Sequence, residues 1–284
     1  MGFSPTQTAR FLQCQTKWGL TREGWVPRAV YKNRIAAIAG QAFHAWAETY
    51  YRANREDPGP LVAQAAFDSG VEELRAQGFT IYADTEIATY SGLLLGAVQH
   101  YPKHDPIPKT WMLDAFEEEL PDGSRIDMGG RTQHGVPFCL DFKSTTWCKP
   151  DGIQARLREY EHSWQLHHYA EVYGAKLGEP VRQVHIVLVA FAPEFSATLG
   201  TFYLDPELAD WWKQSAQSTW QAMQAKVETP LHALPMAAEH GDKWGRCEYY
   251  DACFKFGRDP ELMQSGYLHI ERRKTGGVTE NQAG

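Results

Sequence analysis

The sequence predicts an α/β domain, or an α+β one, with a helical N-terminal part. Three observations carry this. Apolar residues recur at helical spacing in the first hundred positions, as with Phe43, Trp46, Ala47 and Tyr50 on one side of a helix. Three short alternating segments then fall between residues 111 and 144, separated by turn residues. Beyond them, residues 184–192, "VHIVLVAFA", form a continuous apolar run, the pattern of a strand buried on both faces. A helical stretch lies between the alternating segments and that run, so helices and strands belong to one sheet-centred core.

In chain order, residues 5–18 read as a short helix and 40–55, "GQAFHAWAETYYRANR", as a longer one stopped by Asp57-Pro58-Gly59-Pro60. Two further helices are expected over 61–77 and 84–101. "WMLDAFEEEL", "SRIDMGG" and "VPFCLDFKS" read as strands joined by turns at Pro121-Asp122-Gly123 and His134-Gly135. A helix over 161–177 ends at Gly178 and Pro180. "SATLGTFYL" reads as an edge strand, and the helix after it has Asp205 as its cap and Pro206 at its first position. These elements form a single domain over 1–264 with its core at about 40–205, the terminal segments packing together. Residues 265–284 are expected to be a frayed tail.

Bulk properties narrow the function. The chain has 284 residues, 43% apolar and 13% aromatic with ten Trp, which argues against disorder. No apolar run is long enough to cross a membrane, and the N-terminal residues lack the basic-then-apolar pattern of a secretion signal. A net charge of −7 does not favour nucleic-acid binding by the whole surface, but phosphate contacts need only a few well-placed Lys and Arg. Five cysteines, an odd number, argue against a disulfide framework and for a reducing cytoplasm. No phosphate-binding G-x-x-x-x-G-K-[ST] loop occurs, so the chain carries no motor of its own.

The segment 127–143, "DMGGRTQHGVPFCLDFK", holds most of the chemistry. Strand alternation points Asp141 and Lys143 one way and Phe142 the other, into a core. A hairpin can return Asp127 to the same point. Two carboxylates and a lysine together suit a divalent-metal site for attack on a phosphodiester, although D-x-K alone also describes a solvated hairpin. Gly40, His44 and Glu48 share one helix face, with the glycine permitting close approach of another element. Gln165 and Tyr169 share another face, one turn apart, on the helix after the D-x-K strand. His162, His167 and His168 lie near them without ligand-like spacing.

In this order, "GQAFHAWAE", "RIDMGGRTQHGVPFCLDFKSTT" and "QLHHY" resemble the G-x-x-x-H-x-x-x-E, (G)-x-I-D, D-x-K and Q-x-x-x-Y motifs of RecB-type PD-(D/E)XK nucleases, a group that includes the nuclease domains of RecB and AddB and the CRISPR adaptation exonucleases. The resemblance spans Gly40 to Tyr169. It implies a restriction-endonuclease-like core, a central mixed β-sheet flanked by helices. It implies that His44, Asp127, Asp141 and the Phe142 backbone carbonyl hold Mg²⁺ or Mn²⁺. Lys143 would serve the attacking water, Gln165 and Tyr169 would position Lys143 or the DNA backbone, and Glu48 would support the metal shell. One of Glu117, Glu118 and Glu119 could assist. The chain departs from the pattern at Arg125, where relatives often have Gly.

Many such relatives also carry a [4Fe–4S] cluster on one Cys before the core and three after it. Cys14, Cys247 and Cys253 stand in three of these positions, while Trp244 stands in the fourth. The expected activity is a metal-dependent deoxyribonuclease, an exonuclease or end-processing enzyme of recombination, repair or phage DNA metabolism. Its partners would be DNA and a helicase, recombinase or single-strand-binding protein. The rivals are a catalytically silent nucleic-acid-binding adaptor, another class of metal hydrolase, and a restriction-type endonuclease.

Overall fold

The computed structural model describes residues 5–27, 29–30, 32–81, 84–145, 148–149, 152–161, 163–235, 241–242 and 245–270. At its centre is a five-stranded mixed sheet: β4 (Met112–Glu119), β5 (Arg125–Arg131), β6 (Pro137–Thr145), β7 (Gln183–Ala190) and β8 (Ser196–Tyr203) in that spatial order. β6 and β7 run parallel and the other neighbours antiparallel. The parallel step needs a crossover, supplied by α6 (Ile153–Arg158) and α7 (Trp164–Leu177). Every residue of β7 from Val184 onward is buried, as its unbroken apolar sequence requires, and β8 lies at the edge.

The two faces of the sheet carry different chemistry because β6 alternates. Phe138, Leu140 and Phe142 join the core made with the N-terminal helices α3 (Lys32–Arg52), α4 (Pro60–Ala76) and α5 (Asp84–His104). Cys139 joins the opposite core, with Leu166, Tyr169 and Tyr173 of α7. Phe142 is 2% exposed, burial that contributes roughly 1.5–3 kcal/mol. Asp141 and Lys143, in the same alternation, face α7. Gly40 on α3 lets Ser144 of β6 approach. A Cβ there would lie 2.5 Å from the Ser144 hydroxyl, so the helix bearing His44 is seated against the D-x-K strand by a missing side chain.

Several boundaries differ from expectation. The first helix breaks into α1 (Pro5–Gln13) and α2 (Gln15–Arg22) because Cys14 leaves helical geometry and its sulfur accepts the Lys17 N–H, capping the second helix. α3 begins at Lys32, well before Gly40, since the apolar stripe continues backward through Ile35 and Ile38. The crossover helix starts at Trp164, where Ser163 caps it by accepting the Gln165 N–H. Residues 265–270, expected as part of a frayed tail, are ordered against the rest of the chain. β11 (Tyr267–His269) pairs antiparallel with β1 (Trp25–Pro27), because Tyr267 has an aromatic core to join. Residues 271–284 lie outside the described residues.

That core joins the two ends of the chain. Leu20 and Trp25 pack with Leu231, Leu234, Tyr249, Met263 and Tyr267. The Tyr249 and Tyr267 rings stack at 5.9 Å, and the Tyr249 hydroxyl donates to the Trp25 carbonyl at 2.8 Å. α8 (Pro206–Ala225), capped by Asp205, closes the adjoining side, where its Trp220 indole donates to Thr8. Among the described residues, no helix is long and apolar enough to cross a membrane.

Candidate active site

The site forms where the sheet stops being regular. β5 and β6 pair from Arg131 opposite Pro137 to Met128 opposite Leu140, and there the ladder ends. One step further, Asp127 and Asp141 would stand opposite each other. Instead, Asp127 Oδ2 accepts the Phe142 N–H at 2.7 Å, so a carboxylate takes a hydrogen bond that the ladder no longer fills. On the neighbouring strand Glu117 has a φ of 45°, a left-handed conformation that costs a branched or long side chain on the order of 1–3 kcal/mol. Face alternation breaks on both strands here. Phe116 packs toward the N-terminal helices while Glu118 reaches Lys176 on α7. Met128 joins the first core and Ile126 the second. The consequence is that Glu117 and Asp127 both turn toward His44.

His44 Nδ1 lies 3.3 Å from Asp127 Oδ2. The ligand atoms of His44, Glu117 and Asp127 all lie within 4.8 Å of one another. An ion with bonds slightly over 2 Å sets adjacent ligand atoms about 3 Å apart and opposite ones about 4.2 Å apart, so a small inward movement of these side chains would close the group on one ion. An imidazole and two carboxylates are a fitting donor set for Mg²⁺ or Mn²⁺, with the nitrogen suiting Mn²⁺ somewhat better. Of the three successive glutamates, geometry selects Glu117. Glu118 is committed to Lys176, and Glu119 is exposed at the strand end opposite Arg125.

Asp141 occupies a second cluster beside the first. Lys143 Nζ lies 2.5 Å from Asp141 Oδ2 and donates to Gln165 Oε1 at 2.9 Å. The Gln165 amide donates in turn to Asp141 Oδ1 at 3.2 Å and to the Tyr169 hydroxyl at 2.8 Å. Thus Gln165 holds both members of the ion pair, and Tyr169 holds Gln165 rather than touching Lys143. The Tyr160 ring lies 6.0 Å from the ammonium, a neighbour that the D-x-K motif gave no means of finding. Phe142 contributes its N–H to Asp127 and its ring to the core. Glu48 stands outside the His44 group. It holds Arg52 Nε at 2.8 Å, and Arg52 also donates to the Phe116 carbonyl beside Glu117. His167 stacks on Trp212, His168 pairs with Asp122 at 2.7 Å, and His162 lies outside the described residues.

The electrostatics are those of a crowded acidic pocket. Burial pushes the Asp141 carboxyl up to about 6, with Lys143 opposing the rise and the Asp127 charge adding to it. Glu117 is raised by burial and then by the Asp127 charge. Burial acts to raise Asp127 too, but the His44 contact and the Phe142 N–H outweigh it and hold it low. For His44, burial acts downward, and the hydrogen bond and charge of Asp127 overcome it, so the imidazole is raised. Lys143 likewise ends raised because the Asp141 charge outweighs desolvation. Three carboxylates thus share a site with one imidazole and one ammonium. A divalent cation would relieve that excess of negative charge.

The cysteines divide into two sets. Cys139 and Cys148 are buried in the α7-side core. Cys14, Cys247 and Cys253 gather at the joined chain ends, within electrostatic reach of one another, and burial pushes Cys253 up to about 11. Trp244 lies outside the described residues. Three thiols do not supply the four thiolates of a [4Fe–4S] cluster, so the residues present do not fit that group. The chain ends are held instead by the Tyr249–Tyr267 core.

A profile of the PD-(D/E)XK nuclease superfamily matches residues 2–254, nearly the whole chain. No curated protein matches it. Members of that superfamily generally use divalent metals, in keeping with the donor set of His44, Glu117 and Asp127.

Proposed function

From the premise that the chain belongs to the PD-(D/E)XK nuclease superfamily, we propose that it is a Mg²⁺- or Mn²⁺-dependent deoxyribonuclease that works at DNA ends. The observation that carries this is the pair of adjoining clusters: an imidazole–carboxylate group gathered closely enough to close on one ion, next to a buried lysine held by an acid and an amide. The first suits Lewis-acid activation of water and phosphate, and the second adds a cation where negative charge develops.

His44, Glu117 and Asp127 would hold the ion, with Asp141 and the Phe142 carbonyl as further oxygen donors from the strand beside it. When bound, the ion supplies Lewis-acid stabilisation of the phosphoryl oxygens and an acidified water. The remaining roles fall to the chain's own groups. Lys143 places an ammonium where negative charge develops and donates a hydrogen bond to the attacking water or to a phosphate oxygen. Gln165 fixes the Lys143 side chain by accepting its hydrogen bond at Oε1 and ties Asp141 by donating from Nε2. Tyr169 anchors Gln165, and Glu48 anchors Arg52 against the strand that bears Glu117. A helicase, recombinase or single-strand-binding partner would supply the opened DNA.

The test is digestion of end-labelled linear and closed circular DNA, single- and double-stranded, with either metal and with chelator. Loss of linear DNA with circles intact supports the end-dependent reading. Cutting of closed circles would replace it with an endonuclease. A folded, metal-binding protein that cuts nothing would favour the binding-adaptor reading.

A further inference from the structure

Arg125 stands two residues before Asp127, exposed at the start of β5 beside the acidic cluster. Its Nε lies 2.9 Å from Glu117 Oε2, in a pair whose side chains are 64% and 18% exposed respectively. That contact uses one edge of the guanidinium. Its terminal nitrogens have no hydrogen-bond acceptor among the described residues, and a planar fork of that kind matches two phosphate oxygens.

The cations around it are otherwise engaged. Lys143 is committed to Asp141 and Gln165, and Arg52 to Glu48 and the Phe116 carbonyl. A polyanion approaching Glu117, Asp127 and Asp141 meets three carboxylates, and Arg125 is an exposed positive group placed directly against one of them. With the guanidinium largely in solvent, an ion pair of this kind is worth on the order of 1 kcal/mol and is screened by salt, so it can be exchanged for a phosphate.

We propose that Arg125 is a DNA-phosphate contact at the rim of the site: it rests on Glu117 in the free protein and passes to a substrate phosphate when Glu117 turns its charge to the metal. This rests on the nuclease reading above. It makes Arg125 a substrate-binding residue whose guanidinium geometry, as well as its charge, matters.

The experiment measures binding of fluorescently labelled duplex DNA by anisotropy, with Ca²⁺ present, across a NaCl series, for wild type, Arg125→Gln and Arg125→Lys. Mn²⁺ binding without DNA is followed by calorimetry on the same proteins. Arg125→Gln is expected to lose about tenfold in DNA affinity, and its slope of log K against log salt should shallow by about 0.9, one phosphate's share. Arg125→Lys should keep the slope and recover part of the affinity. Mn²⁺ affinity should hold or rise in Arg125→Gln, because a competing cation has left Glu117. Unchanged DNA affinity and slope would overturn the assignment. So would parallel losses of DNA and Mn²⁺ affinity, which would make Arg125 a prop for Glu117. If wild type binds no DNA, the nuclease reading itself fails and takes this one with it.

Discussion

At the scale of single residues, the site depends on hydrogen bonds that hold charges where they are costly. Lys143→Ala should lower the cleavage rate by about 10²- to 10⁴-fold while leaving Mn²⁺ binding in place, since the proposed role of Lys143 is toward the water or phosphate rather than the ion. Gln165→Ala acts through Lys143 and should cost about 10- to 100-fold in turnover, with little change in KM. Glu117→Gln should weaken Mn²⁺ binding by about tenfold or more, measured by calorimetry, because it removes one carboxylate from a three-ligand group. Asp127, Asp141, Lys143, His44 and Gln165 were legible as residue types at motif spacing. Glu117 was not. Its selection over Glu118 and Glu119 rests on a left-handed φ of 45°, and that inverts the alternation rule by which a strand's faces are read.

At the scale of elements, strands with clear apolar periodicity and helices with capping residues could be read from the sequence, and boundaries fixed by side-chain detail could not. The buried run became β7, and Asp205 caps α8 as its position suggested. The break at Cys14 was hidden because a cysteine is not among the usual capping residues. Within β7, His185 is fully buried, with its Nδ1 3.0 Å from the Thr201 hydroxyl and its ring against Trp111 and Phe138. Burial lowers it to about 4. Between that value and the ordinary one near 6.5, the unfolded chain binds a proton that the folded chain does not. Stability is therefore complete above about 6.5 and falls as pH drops toward 4, by on the order of 3 kcal/mol. His185→Gln should flatten that slope of stability against pH in urea titrations, whatever its own baseline. Gly130→Ala should destabilise by about 2 kcal/mol or more in the same assay. A Cβ there would lie 2.1 Å from the Met112 carbonyl oxygen of β4, and a backbone atom cannot swing aside.

At the scale of the whole molecule, the two chain ends are tied by packing. Tyr267 stacks on Tyr249, donates to the Glu248 carbonyl and accepts the Ala252 N–H. Tyr267→Ala should cost about 3 kcal/mol and lower Tm, with cleavage retained at temperatures where the protein stays folded. Iron chelation should leave Tm unchanged. The sequence pointed to joined ends through its cysteines, whereas the contacts that join them are aromatic and spread over residues far apart in the chain, which no local pattern reveals. Joint action of the two clusters on β4, β5, β6, α3 and α7 is measured by cleavage of linear DNA in Mn²⁺ by wild type and Lys143→Ala, with Mn²⁺ binding followed on both. Chelator should abolish cleavage by wild type, and the variant should bind Mn²⁺ as wild type does yet cut at least about a hundredfold more slowly. Equal rates in the two proteins, or cleavage that persists in chelator, would contradict joint action.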